Sequence, residues 1–225
     1  MTFSISARCA RTGMFGIAVS SSSPCVAARC AHARAGVGVV ATQNITDPRL
    51  GPKGLDLMAG GLSAPEALAR LKAEAPHLEF RQLALVDSQG RTASFSGSRT
   101  LGTHRVVEGA GVVAAGNLLS SPEVPVAMVA AFEAAAAQSL GDRLVGAMRA
   151  AVKAGGEEGP VHSIGMLLVR DVAWPVADLR VDWSEGDPIE DLDQLWQRWK
   201  GEMEAYVSRA LDPSKAPSYG VPGDL

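Results

Sequence analysis

Cysteine is scarce in this chain, with three thiols, Cys9, Cys25 and Cys30, among 225 residues. An odd count without paired spacing argues against a disulfide framework. Cys25, Cys30 and nearby His32 fit no common zinc pattern and lack a fourth ligand, so no metal is expected. Buried, reduced thiols and a cytoplasmic location are expected, since the N-terminus has neither the basic head nor the apolar region of an export signal. Positive charge is not in excess either. Lys and Arg number 21 against 24 Asp and Glu, a net charge of −3, and the basic residues form no stripe, which argues against a nucleic-acid partner. No apolar run approaches the roughly 18 residues of a membrane helix, so no membrane partner is expected. There is no G-x-S-x-G elbow, which argues against an α/β-hydrolase. His77, His104 and His162 are isolated in sequence, and among them His162, beside Ser163, is the candidate for a site.

What is present is enough apolar material for a sizeable core, 47% of the residues, in a length that fits one domain. The expected unit runs over residues 1–211, with a proline-rich tail over 212–225. Phe3, Ile5, Ala7 and Cys9 alternate with Ser4, Ser6 and Arg8, and Phe15, Ile17 and Val19 alternate again after Arg11-Thr12-Gly13, the pattern of a β-hairpin. Gly36 to Gln43 is a nearly continuous apolar strand, expected to be covered on both faces. Residues Cys25 to Arg34 are ambiguous. Helices are expected over Gly54 to Ala59 and Ser63 to Ala75, the second opened by the capping box Ser63/Glu66 with Pro65 in its first turn. Strands follow at Arg81 to Val86 and Arg91 to Phe95, with a third from Arg105 toward Asn117 in the same group. Helices over Pro122 to Ala137 and Leu140 to Lys153 come next, the latter with Ser139 as N-cap. Strands Ser163 to Val169 and Ala177 to Trp183 and an acidic helix from Pro188 to Leu211 complete the order. Blocks of antiparallel strands separated by helix pairs imply two mainly antiparallel sheets packed face to face with helices outside, a four-layer α-β-β-α sandwich.

Gly36-x-Gly38-x-x-Ala41 and Gly109-x-Gly111-x-x-Ala114 match the loose glycine fingerprint of dinucleotide folds. Both lie inside apolar β runs and neither opens a periodic helix, so close sheet-to-sheet approach is the expected role. No organic cofactor is expected.

The chemistry-bearing feature is Thr2. Trimming of Met1 would leave its hydroxyl beside its own free α-amine, a pair in which the amine takes the hydroxyl proton and no histidine is needed. An α-amine with an ordinary pKa of roughly 7.7–8.0 has a useful neutral fraction near neutral pH. Gln43 or Asn44, at the end of the Gly36 to Gln43 strand, and Asn117 are candidates to present N–H groups to a developing oxyanion. Ser21 is a candidate to orient the amine. Arg34 is a candidate site cation, and Asp47, before Pro48, is expected to cap a turn.

Several strings carry a resemblance. Thr2-Phe3-Ser4-Ile5, Gly16-Ile17-Ala18-Val19, Ser20 to Ser23 with Pro24, Ala33-Arg34-Ala35-Gly36-Val37-Gly38, Ala41-Thr42-Gln43, Gly51-Pro52, Gly116-Asn117 and Gly155-Gly156 resemble domain-of-unknown-function family 1028, over residues 2 to 183. The element order with a threonine heading the first strand resembles the N-terminal nucleophile (Ntn) hydrolase fold. The resemblance implies hydrolysis of a non-peptide or small-peptide amide by Thr2 without a cofactor, on a small-molecule substrate that the family leaves unassigned. The segment Glu157-Glu158-Gly159-Pro160-Val161-His162-Ser163 departs from the family pattern and is expected to alter one wall of the site. The alternative is a non-catalytic small-molecule-binding or scaffold protein on the same fold. The alanine-rich helices and late tryptophans suggest a homodimer face.

Overall fold

Period-two alternation in the first strand decides which way the molecule packs. In the computed structural model, which describes residues 1–223, strand β1 (Thr2–Arg8) turns Phe3, Ile5 and Ala7 into the largest apolar cluster. Helices α4 (Val124–Ala134) and α5 (Leu140–Lys153) cover that cluster. Its even-numbered residues therefore face the other way, and Ser4 bonds to a residue of the second sheet. The first sheet is completed by β2 (Phe15–Ser21), β7 (Arg105–Gly109), β8 (Val112–Asn117), β9 (Ser163–Val169) and β10 (Ala177–Val181) in the order β10-β9-β2-β1-β8-β7. The second holds β3 (Ala31–Arg34), β4 (Gly38–Asn44), β5 (Arg81–Asp87) and β6 (Thr92–Ser96), in chain order. All neighbouring strands in both sheets are antiparallel.

The sheets meet through Phe15, Ile17, Val113 and Ala115 on one side and Val39, Ala41, Ala84 and Val86 on the other. Their opposite faces are covered by helices. Val40, Leu83 and Leu85 pack under α2 (Leu50–Ala59) and α3 (Ala64–Glu74), whereas α4, α5 and α6 (Pro188–Leu211) pack on the six-stranded sheet. The described residues thus form a mixed α/β sandwich of two antiparallel sheets with six helices, counting the one-turn α1 (Ala27–Cys30). Each fully buried aliphatic or aromatic side chain contributes about 1.5–3 kcal/mol, so this double interface dominates stability.

Local chemistry sets the helix ends. Ser63 accepts from the Glu66 amide while the Glu66 carboxylate accepts from the Ser63 amide, the reciprocal capping box. Ser139 accepts from the Asp142 amide at the start of α5, and Asp187 accepts from the amides of Ile189 and Glu190 at the start of α6. Gly141 in α5 allows Trp196 of α6 to lie against the helix, where the indole Nε1 donates to Asp142 at 2.9 Å. Trp199 donates to the Val176 carbonyl at 2.8 Å. Trp196 and Trp199 thus each bond within the chain.

Several expectations are revised. Of the thiols expected to be buried, Cys9 and Cys30 are, but Cys25 is exposed. The stretch from Arg105 to Asn117 is two strands, β7 and β8, because Gly111 takes φ +69° in the turn between them. Both join β1 in the six-stranded sheet, and do not extend the β5–β6 group as expected. Gly36, with φ +71°, lies in the turn between β3 and β4. The leading glycine of one fingerprint and the second of the other therefore serve hairpin turns, where close sheet-to-sheet approach was expected. The ambiguous Cys25 to Arg34 stretch resolves into α1 and β3. In the expected tail, Arg209 donates to the carbonyls of Pro217 and Ser218 and its guanidinium lies 3.8 Å from the Tyr219 ring centroid; residues 224 and 225 of that tail lie outside the described residues. No described helix is long and apolar enough to cross a membrane.

Candidate functional site

At one end of the sandwich the apolar layer between the sheets gives way to buried polar side chains. Thr2, Ser4, Ser21, Gln43, Gln82 and Asn117 are all buried there. Each is placed by strand alternation. Thr2 and Ser4 continue the polar face of β1, and Asn117 continues the face of β8 that carries Val113 and Ala115. Gln43 continues the Val39–Ala41 face of β4, and Gln82 the Ala84–Val86 face of β5. Thr2 and Asn117 are direct partners across the β1–β8 pair.

The buried amides satisfy one another. Gln43 Nε2 and Asn117 Nδ2 both donate to Gln82 Oε1, at 2.8 and 3.1 Å, while Ser4 Oγ donates to Gln43 Oε1 at 2.6 Å. Gln82 Nε2 in turn donates to Ser96 Oγ and the Gly116 carbonyl, both at 3.0 Å. Buried polar groups are costly when unpaired, and two in this layer have no partner in the structure, Asn117 Oδ1 and Ser6 Oγ. The backbone just beyond two of the amides is left-handed, at Asn44 (φ 71°) and Leu118 (φ 52°). Such a conformation is costly for leucine and is held here by the Leu118 amide donating to the Leu101 carbonyl at 3.0 Å.

Thr2 itself is 6% exposed. Its hydroxyl donates to the carbonyl of Met1, and Ser21 Oγ donates to the same oxygen at 2.5 Å. Ser21 is oriented by the Ser23 amide, which donates to its Oγ at 3.0 Å. Beside this pair stands Glu157, 5% exposed. Its Oε2 accepts from the Ser22 amide at 3.2 Å and its Oε1 has no partner in the structure. Burial pushes the Glu157 carboxyl up to about 7, opposed by the N-terminal ammonium and by the bond from Ser22. Gly155 and Gly156, with φ +116° and +61°, turn the chain out of α5 so that Glu157 can bridge Leu119. A cleft of about 280 Å³ opens there, with Glu157, Gly159, Pro160 and Val161 in its wall.

The side chains of the other residues singled out by sequence are engaged outside this cluster. Asn44 Nδ2 donates to the Phe80 carbonyl at 2.6 Å and its Oδ1 accepts from the Leu101 amide, so its side chain is tied to neighbouring loops. Arg34 is paired with Asp56 at 2.7 Å and sits opposite Gly38 in the β3–β4 ladder, five residues and thus about 17 Å along β4 from Gln43. The His162 amide donates to the Ser21 carbonyl, while its ring stacks on Trp183 at 4.2 Å and Nδ1 lies 2.8 Å from the Ser184 carbonyl. Asp47 accepts from the Arg49 amide and is ion-paired with its guanidinium, and that bonding holds its carboxyl below the usual range. No group of three or more metal-ligating side chains occurs among the described residues. Ser4 and Gln82 were not singled out from sequence, and Glu157 only as the first residue of the segment expected to alter one wall of the site. A polar alternate face on a strand buried throughout was the available signal for Ser4, and the interruption of an apolar strand the signal for Gln82.

A family model described as a family of unknown function, DUF1028, matches residues 2–192. Among solved structures, the protein SPO2555 from Silicibacter pomeroyi, itself assigned to DUF1028, is 31% identical with a TM-score of 0.81, each chain being covered over 88% of its length. The ancestral β-subunit Anbu from Yersinia bercovieri matches over 91% of this chain and 97% of its own, at 9% identity and a TM-score of 0.40. No curated protein matches the chain.

Proposed function

The chain belongs to the family of unknown function DUF1028, and from that premise we propose that it is an amide hydrolase of the N-terminal nucleophile type, with Thr2 as nucleophile once Met1 is removed. The observation that carries the reading is the pairing at Met1: the Thr2 hydroxyl and Ser21 Oγ both reach one amide carbonyl oxygen at the head of a central strand. The stacked antiparallel sheets under helices, in a unit reaching to the end of α6, agree with an Ntn-hydrolase-like architecture.

In the reaction, Thr2 Oγ1 adds to the substrate carbonyl carbon and its proton passes to the Thr2 amine. The amine then delivers a proton to the departing nitrogen, leaving an acyl ester on Thr2. Water cleaves the ester and restores the hydroxyl. Asn117 is assigned to the developing oxyanion. It lies directly across the strand pair from Thr2, and its Nδ2 gives one of its two N–H groups to Gln82, leaving the other as the donor for the oxyanion. Gln43 and Gln82 act behind it as positioning residues, since their bonds fix the Asn117 amide. Ser21, released from the Met1 carbonyl, orients the free Thr2 amine.

The test is the intact mass of the purified protein, followed by turnover on a panel of amides. A mass lacking Met1 with turnover lost in the Thr2→Ala variant is expected; Thr2→Ser should retain part of it. Full turnover by Thr2→Ala refutes the proposal.

A further inference from the structure

Met1 occupies the space where the acyl part of a substrate would sit, and its surroundings describe what that space accepts. Its carbonyl is held by Thr2 and Ser21. Its thioether lies beside Gly159, a residue of the cleft wall, with Cε 3.3 Å and Sδ 3.8 Å from where a Cβ on Gly159 would stand, so a side chain there would crowd the thioether. Its ammonium lies within Coulombic reach of Glu157. Glu157 is 95% buried in the wall of the same cleft, accepts one backbone hydrogen bond through Oε2 and has no partner for Oε1. No arginine or lysine is among the residues lining the cleft; Asp187, at its far side, caps α6. A buried carboxylate with an open oxygen in a cleft without a basic wall residue is a receptor for a cation or a strong hydrogen-bond donor.

We infer that Glu157 selects substrates whose acyl group carries a free primary amine, close to the carbonyl that Thr2 attacks, together with an unbranched apolar side chain. Aminoacyl amides are the chemical class that fits. This inference rests on the proposed role of Thr2 for catalysis, but amine recognition by Glu157 is a binding property and is testable without turnover. Burial still raises the carboxyl with the Met1 ammonium within Coulombic reach, as for a carboxylate whose open oxygen has no directly paired cation.

The experiment uses the full chain prepared to begin at residue 2, carrying Thr2→Ala so that no ligand is consumed, at pH 8. L-Methioninamide, its N-acetyl derivative and the desamino analogue 4-(methylthio)butanamide are titrated by calorimetry. L-Methioninamide is expected to bind about 10- to 100-fold more tightly than the other two, the range for a hydrogen bond to a charged group. The added substitution Glu157→Gln should bring its affinity down to that of the desamino analogue. Equal affinities in the Glu157 protein, binding of none of the three, or an equal loss for all three in Glu157→Gln overturns the inference. The last of these outcomes would assign Glu157 to the protein's own amine. The same three compounds offered to the Thr2 chain separate the two readings. Amine-selective binding without hydrolysis removes the catalytic proposal and leaves this one standing, whereas unselective hydrolysis does the reverse.

Discussion

Glu157→Gln should stabilise the protein above neutral pH and do so much less at pH 5. Burial raises the Glu157 carboxyl from an ordinary 4.5 to about 7, so between those values the folded chain holds a proton that the unfolded chain has released. Stability then falls as pH rises, because the folded state binds more protons than the unfolded. The contribution is fully present below about 4.5 and is lost once pH has passed through about 7. At 1.36 kcal/mol per tenfold change in proton affinity, the interval corresponds to roughly 3 kcal/mol. Glutamine has the shape of the protonated acid and keeps an acceptor for the Ser22 amide, but it cannot ionise. The difference in stability between variant and parent should therefore grow from about 1 kcal/mol at pH 5 to about 3 kcal/mol at pH 8.5, the latter about 6–12 °C in melting temperature for a chain of this size. Taking the difference cancels other titrations, notably that of His32, which burial holds below its ordinary value and whose opposite effect acts at lower pH. Chemical denaturation at half-unit pH intervals measures it. Parallel curves for the two proteins between pH 5 and 8.5 would refute the reasoning.

Gln82→Ala removes the oxygen that accepts from both Gln43 and Asn117. Two buried donors left unpaired should cost about 2–5 kcal/mol by urea denaturation, and a loss below about 1 kcal/mol would show that the cluster is not held in this way. Ser63→Ala breaks the capping box of α3 and should cost about 1 kcal/mol, seen as a melting temperature lower by about 2–4 °C; an unchanged value counts against the cap. Gly141→Ala would set a methyl carbon 2.3 Å from the Trp196 ring and, by forcing α6 off α5, should cost about 1–3 kcal/mol and blue- or red-shift Trp196 emission. Wild-type stability with unshifted fluorescence would contradict the packing.

Most of the strands were legible because a sheet imposes a period of two that local sequence must obey. Ser163–Val169 reads from its apolar run alone, and the starts of Leu140–Lys153 and Pro188–Leu211 read to the residue because each begins at a cap that bonds its own first turn. Which strands share a sheet was less legible. The run from Arg105 to Asn117 carries apolar residues at nearly every position of its second half, and only the glycine turn at Gly111, set by a dihedral and not by hydropathy, divides it into two. Assignment of that pair beside β1 depends on contacts about 110 residues apart in sequence, which no local pattern encodes.

The site divides along the same physical line. Thr2 and Asn117 stand at the ends of apolar strands and Gln43 one residue inside β4, where a polar residue is conspicuous. Gln82 likewise stands one residue inside β5, but its importance comes from being the oxygen on which two other strands converge. Glu157 carried no periodic signal at all. It follows the two glycines that end α5, in a segment without alternation, and surface exposure is the ordinary fate of glutamate there. What buries it is the bridge to Leu119 and the Ser22 amide, 135 residues earlier in the chain. A group whose ionisation is opposed by its own fold is the kind that persists when a ligand compensates the cost elsewhere. The resemblance pointed to the segment that Glu157 opens, but only the fold shows that this one carboxyl is buried with an open oxygen.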